Sequence, residues 1–170
     1  MERIARFEKV SFDQFREGYT ACFGASENEA LKEVYSQVRL PKRATAGSAG
    51  YDFYLTHDMT LEPGESIKIP TGIRCLMAEG WVLMLFPRSG LGFKYRLQLN
   101  NTVGVIDSDY AGSDNEGHII IRLTNDSNEK KTLSLKAGEA FVQGVLMPFG
   151  ITEDDDVSAV RNGGFGSTSK

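Results

Sequence analysis

Between residues 10 and 38 apolar side chains recur every three or four positions, the repeat of a helix that buries one face. Ser11 reads as an N-cap with Gln14 three residues on, and Phe12, Phe15, Tyr19, Cys22 and Phe23 follow at helical spacing, with Val10 and Phe15 placed to staple the start. A second start at Ser26, with Glu29 three residues later, leads Leu31, Val34, Tyr35 and Val38 along one face. Two short amphipathic helices packed as a hairpin are therefore expected over residues 1–40. Pro41 and "ATAGSAG" end the pattern, because proline has no amide donor and glycine favours turns.

From Tyr51 to Phe149 the pattern becomes that of strands. Short runs such as "YDFYL", "SIKIPTGIRCLM", "WVLMLF", "YRLQL", "HIIIRLT", "TLSL" and "AFVQGVLMPF" alternate with turns at "EPGE", "AEG", "RSGLG", "NDSNEK" and "KAGE". A mainly β domain over residues 41–149, closed as a sandwich or barrel, is the natural solution. The pattern stops at residue 150. "GITEDDDVSAVRNGGFGSTSK" has little to bury, so residues 150–170 are expected to form a flexible arm ordered only by a ligand or another subunit.

Composition narrows the function. The chain has 170 residues, 41% hydrophobic and 25% charged, the balance of one globular domain. A membrane span needs about eighteen or more apolar residues, and no window reaches that length; the charged N-terminal stretch, with Glu2, Arg3, Arg6 and Glu8, does not resemble a signal peptide. A cytoplasmic protein is expected. A net charge of −4 argues against a nucleic-acid polymer as partner but leaves room for a small anionic ligand. Cys22 and Cys75 lack metal or disulfide spacing and read as buried thiols.

Four segments join polar groups or glycines to strand ends, where backbone amides can approach a ligand. In "PRSGLGFK", Arg88, Ser89 and Gly90 suit a phosphate, although one such turn is common. "NNTVGVIDSDYAG" reads as a hairpin around Gly104 whose edges can pair with a planar base. There Tyr110 can pack on a sugar and Asp107 can take a proton from water; the plain alternative is a surface hairpin with solvated acids. In "AGSAGYDFYL", Asp52 either caps a turn or orients waters on a divalent cation. In "RNGGFGSTSK", Arg161, the amides around Gly166 and the hydroxyls of Ser167 and Thr168 suit a polyphosphate, with Phe165 as a lid over an aromatic base.

In order and spacing, "LPKRATAGSAGYDFYL", "PRSGLGFK", "NNTVGVIDSDYAG", "AGEAFVQGVLMPF" and "RNGGFGSTSK" resemble the five motifs of the trimeric dUTPase family across residues 40–170. The resemblance implies a jelly-roll-like β domain, a homotrimer with shared active sites at its interfaces, Mg²⁺, and conversion of dUTP to dUMP and pyrophosphate. It implies that Asp107 activates the water attacking the α-phosphorus, that Tyr110 packs on the deoxyribose and that Asn101 pairs with uracil. Arg88, Ser89, Gly90 and Gln143 would hold phosphates, and Asp52 would reach the water shell of the metal. Phe165 would stack on uracil while Arg161, Ser167 and Thr168 grip the β- and γ-phosphates.

The chain also departs from that pattern. Ala140 stands where the fourth motif usually has arginine, the tail is one residue shorter between Arg161 and the glycine pair, and the connection after Tyr110 is lengthened to "AGSDNEGH". The N-terminal helices lie outside the common core and are similar to extensions in bacterial and phage members, which implies a bacterial or phage-infected host cytoplasm. His57 and His118 are isolated and read as surface or core-edge residues, and "EDDD" at 153–156 as a solvated hinge. Two alternatives remain at this level. A dCTP deaminase relative would need a glutamate at the base-facing hairpin, and a nucleotide-gated regulatory protein would use the helices and "SDNEG" to hold a protein partner.

Overall fold

The N-terminal segment opens with a strand that the helical pattern does not announce. In the computed structural model, which describes residues 2–159, β1 (Ala5–Lys9) precedes α1 (Phe12–Phe23) and α2 (Asn28–Ser36). Ser11 caps α1 as expected, accepting the Gln14 amide on its hydroxyl oxygen. The cap of α2 is Glu27 rather than Ser26, and it makes no side-chain bond. The segment is part of the main core and not an appendage. Val10, Phe15, Leu31 and Val38 are buried, and burying a side chain the size of Phe15 stabilises by about 1.5–3 kcal/mol.

The β body follows as β2 (Lys42–Arg43), β3 (Tyr51–Tyr54), β4 (Met59–Leu61), β5 (Ser66–Pro70), β6 (Ile73–Met77) and β7 (Trp81–Pro87). After a short helix, α3 (Ser89–Tyr95), come β8 (Leu97–Leu99), β9 (Gly104–Ile106), a 3₁₀ turn (Ser108–Gly112), β10 (Ile120–Asn125), β11 (Leu133–Leu135) and β12 (Ala140–Pro148). Five strands form one sheet in the order β2-β3-β12-β7-β9, and three form another as β5-β10-β8, with the pairs β1-β6 and β4-β11 alongside. The layers make a sandwich rather than a closed barrel. Every pairing is antiparallel.

β1 is fixed to the body by register and charge. Glu8 lies opposite Arg74 in β6, which donates to it from Nε and Nη2 at 3.2 and 2.8 Å. The Arg74 guanidinium holds the Glu8 carboxyl below the usual carboxylate range, with Arg6 assisting. In the large sheet, Phe53, Leu83, Leu85, Ile106 and Val142 face the core. The opposite face carries Met84, Phe86, Val105, Val145 and Met147, of which Val105 and Met147 remain 49% and 44% exposed. That is why β7 reads as an unbroken apolar run: both of its faces are apolar.

Among the described residues no helix is long and apolar enough to cross a membrane. Cys75 is a buried free thiol, pushed up to about 12 by burial, and Cys22 is half-buried and free. The acidic run at 153–156 is exposed, as expected.

Candidate active site

β8 and β9 are consecutive strands joined by residues 100–103, yet they do not form a ladder. β8 pairs with β10 and β9 pairs with β7, while an isolated bridge joins Leu99 at the end of β8 to Thr102 in the connection. The connection is pinned by the Thr102 amide donating to the Leu99 carbonyl at 2.9 Å and the Val103 amide to the Asn101 carbonyl at 2.7 Å, with Thr102 at φ +67°. Each strand is therefore the edge of its own sheet, and the two splay apart around a cavity of about 510 Å³. Leu99 of β8, Asn101 of the connection and Gly104 and Ile106 of β9 line it, with Leu85 of β7 and Ile121 of β10. Edge strands keep backbone donors and acceptors outside their ladders, here beside an apolar cavity.

Gly104 is required where β9 meets β7. A Cβ there would lie 2.9 Å from the Leu85 Cβ, closer than side-chain contacts allow. Asp107 follows Ile106 directly and caps the 3₁₀ turn, its carbonyl accepting the Tyr110 amide at 3.2 Å. Its side chain is half-buried. Tyr110 is buried, at 2% exposure. Its hydroxyl donates to the His118 carbonyl at 3.0 Å and accepts from Asn115 Nδ2 at 2.8 Å, so the ring is fixed from behind.

A second cavity, of about 570 Å³, collects the remaining described candidates. It is lined by Asp52, Arg88, Ser89, Gly90 and Gln143, with the loop at 44–50. Asp52 in β3 and Gln143 in β12 are direct partners in register. Arg88 caps α3, so the amides of Ser89 and Gly90 begin a helix and have no intrahelical acceptor. Arg88 Nε lies 3.1 Å from Asp52 Oδ1, and its Nη1 donates to the Ala140 carbonyl at 3.4 Å. The residue that stands in place of the usual fourth-motif arginine thus contributes a backbone acceptor. Gly50 leaves room for Gln143, since a Cβ would sit 2.5 Å from its Oε1.

The two cavities share no lining residue. Leu85 and Gly104 point to the core face of the large sheet, whereas Asp52, Gln143 and Val145 point to its other face. The chain therefore presents the cavities on opposite sides of a sheet.

Several contributors were not singled out from the sequence. Arg43 Nη1 donates to the carbonyls of Ala46 and Ser48 at 2.9 and 3.0 Å, shaping the loop beside Asp52. Ala21, Cys22, Lys68 and Arg122 join the lining of the first cavity; burial raises the Cys22 thiol, with Lys68 opposing. His118 is fully buried rather than at the core edge, and burial pulls its imidazole down to about 4 against the nearby Glu116 carboxylate. The spacing of a lone histidine carries no signal of that kind. Among the described residues no group of three His, Cys, Asp or Glu side chains is placed to hold a metal ion. Arg161, Phe165, Gly166, Ser167 and Thr168 lie outside the described residues.

Comparison with known proteins gives a consistent answer. Residues 36–169 match the family model described as dUTPase. The deoxyuridine 5'-triphosphate nucleotidohydrolase of Lactococcus lactis subsp. lactis is 42% identical over 134 residues, covering 77% of this chain and 88% of that protein. The crystal structure of the Streptococcus mutans dUTPase superimposes with a TM-score of 0.62 at 36% identity, covering 86% of this chain and 98% of the other. A point mutant of the dUTPase from phage phi11 of S. aureus, whose structure describes the coordination of a structural Mg(II) ion, gives 0.58 at 25% identity, covering 72% and 91%.

Proposed function

Because the chain belongs to the dUTPase family, we propose that it hydrolyses dUTP to dUMP and pyrophosphate by attack of water on the α-phosphorus, in the cytoplasm of a bacterium or of a phage-infected host. The observation that carries this reading is the cavity opened between β8 and β9, with Asp107 directly after the strand that lines it. A uracil ring entering there meets the unladdered strand edges as a further strand would, with Asn101 at its rim. Thymine's 5-methyl group would collide with the same wall, and cytosine's exocyclic amine would present a donor where a donor is already offered.

Asp107 takes the proton from the attacking water, a task worth about 10²–10⁴-fold in rate for a positioned carboxylate. The fixed Tyr110 ring closes the space beside the deoxyribose. Arg88, the Ser89 and Gly90 amides and Gln143 receive the phosphates, and Arg88 exchanges its contact with Asp52 for one with a phosphate oxygen. Arg161, Ser167 and Thr168 would add contacts to the outer phosphates, with Gly166 admitting close backbone approach and Phe165 covering the base. Mg²⁺ fits the donor set only as an ion held mainly by the triphosphate, with Asp52 reaching its waters, and it would neutralise charge on the leaving pyrophosphate.

Base and phosphate cavities on opposite sides of one sheet cannot act on one nucleotide within a protomer. A homotrimer that sets the base cavity of one chain against the phosphate cavity of the next resolves this, and the apolar outer face with Val105 and Met147 is a surface such assembly would cover. The decisive experiment is pyrophosphate release by the purified protein with Mg²⁺. Rapid release from dUTP, and slow release from dTTP, dCTP and UTP, is expected; equal rates on all four, or ammonia release from dCTP, would overturn the reading.

A further inference from the structure

Residues 113–118, the lengthened connection after the 3₁₀ turn, run back across that turn and finish on the N-terminal segment. Gly117, at φ +72°, crosses so closely that a Cβ would lie 2.6 Å from the Ala111 Cα and 2.8 Å from the Tyr110 carbonyl oxygen. Asn115 holds the Tyr110 hydroxyl, and its Oδ1 accepts the Gly117 amide at 3.1 Å. His118 accepts the Gly72 amide on Nε2 at 2.9 Å and lies against Gly18 of α1, where a Cβ would approach its ring to 2.6 Å.

Between these anchors Glu116 meets the start of α1. The Ser11 amide donates to Oε2 at 2.7 Å and the Ser11 hydroxyl to Oε1 at 2.6 Å. These bonds pull the Glu116 carboxyl below the usual carboxylate range. In an ordinary capping box the third helical residue reaches back to the N-cap amide. That residue is Gln14 here, and the amide is taken instead by a carboxylate 105 residues away. The loop caps the helix, and the helix anchors the loop.

We propose that Glu116 is a positioning residue for the hydrolysis: through Ser11 it uses the N-terminal segment as a strut that holds the Ser108–Gly112 turn, and with it Asp107 and Tyr110, in the geometry for water attack. The turn is tied to the loop behind it directly: Asn115 Nδ2 donates to the Tyr110 hydroxyl at 2.8 Å, the Ser113 amide donates to the Tyr110 carbonyl at 3.0 Å, and Gly117 packs closely on Ala111. Ser11 is exposed and α1 is held independently by Phe15, so the contact does more for local placement than for global stability. Small misplacement of a reacting group is costly in rate.

The inference rests on the dUTP reading, and the test separates the two. Full-length Glu116→Ala is compared with the unaltered protein for dUTP turnover, melting temperature and amide hydrogen exchange. The expected result is a kcat lowered about tenfold with KM within about twofold, a melting temperature nearly unchanged, and faster exchange confined to residues 108–118. Glu116→Gln should recover most of the turnover, because its amide oxygen still accepts the Ser11 N–H. Unchanged kcat and exchange in Glu116→Ala overturn the proposal, as does loss of protection throughout the core. Should the unaltered protein fail to hydrolyse dUTP, the functional reading falls and exchange alone decides the strut: faster exchange confined to 108–118 supports it and unchanged exchange overturns it.

Discussion

The two cavities are of similar size and are built by opposite means. The cavity proposed for the base is a gap between strands of two sheets, and its walls of Leu85, Leu99, Ile106 and Ile121 are core residues that cannot move without disturbing the packing. The cavity proposed for the phosphates is made of side chains and loops, with the Arg88 side chain 44% exposed and tied to Asp52 by an ion pair. On the proposed function, the difference would follow from the ligands. Distinguishing uracil from thymine or cytosine requires donors and acceptors that do not yield, whereas neutralising a triphosphate requires cations able to follow the charge.

Substitutions can break that division. The largest effect is expected from Asp107→Asn, which keeps the shape of the base side but cannot accept a proton. Steady-state kinetics should show kcat for dUTP falling about 10²–10⁴-fold with little change in nucleotide affinity. Arg88→Ala comes next, lowering kcat/KM by about 10–100-fold. Its loss should be the same for every nucleotide triphosphate, because the phosphates are common to all, and a change in the preference for dUTP over dCTP would show that the sides are not separable. Gly104→Ala should be the mildest for turnover and the only one of the three to alter base preference. Forcing β9 from β7 should lower stability by about 1–3 kcal/mol in denaturant unfolding and reduce the dUTP preference a few-fold.

The sequence made the β body legible because strands and turns leave local marks: "EPGE" and "KAGE" bracket runs whose alternation survives in the burial of β4 and β11. β1 left no such mark, since "ARFEK" is short and its pairing with β6 is decided across the chain. Glycines in "PRSGLGFK" argue against helix, yet α3 forms there. The motif order groups Asp52, Arg88, Ser89, Gly90 and Gln143 into one set, and they line one cavity. That β8 and β9 splay instead of pairing was not legible, because their partners β10 and β7 are chosen by tertiary packing. Glu116 was hidden for the same reason: its acceptor role is set by a helix cap far away in sequence.

Placing the cavities on opposite sides of the large sheet has a consequence for heredity. If, as proposed, one site is assembled from two chains, it does not follow the rule that a damaged allele is simply silent. Two alleles, one spoiled at Asp107 and the other at Arg88, would each encode inactive protein, yet random co-assembly in equal amounts would leave about one quarter of sites with both halves sound. Alleles spoiled in the same half would never rescue one another. The face of the sheet on which a lesion falls would therefore sort inactive alleles into two complementation groups within a single gene.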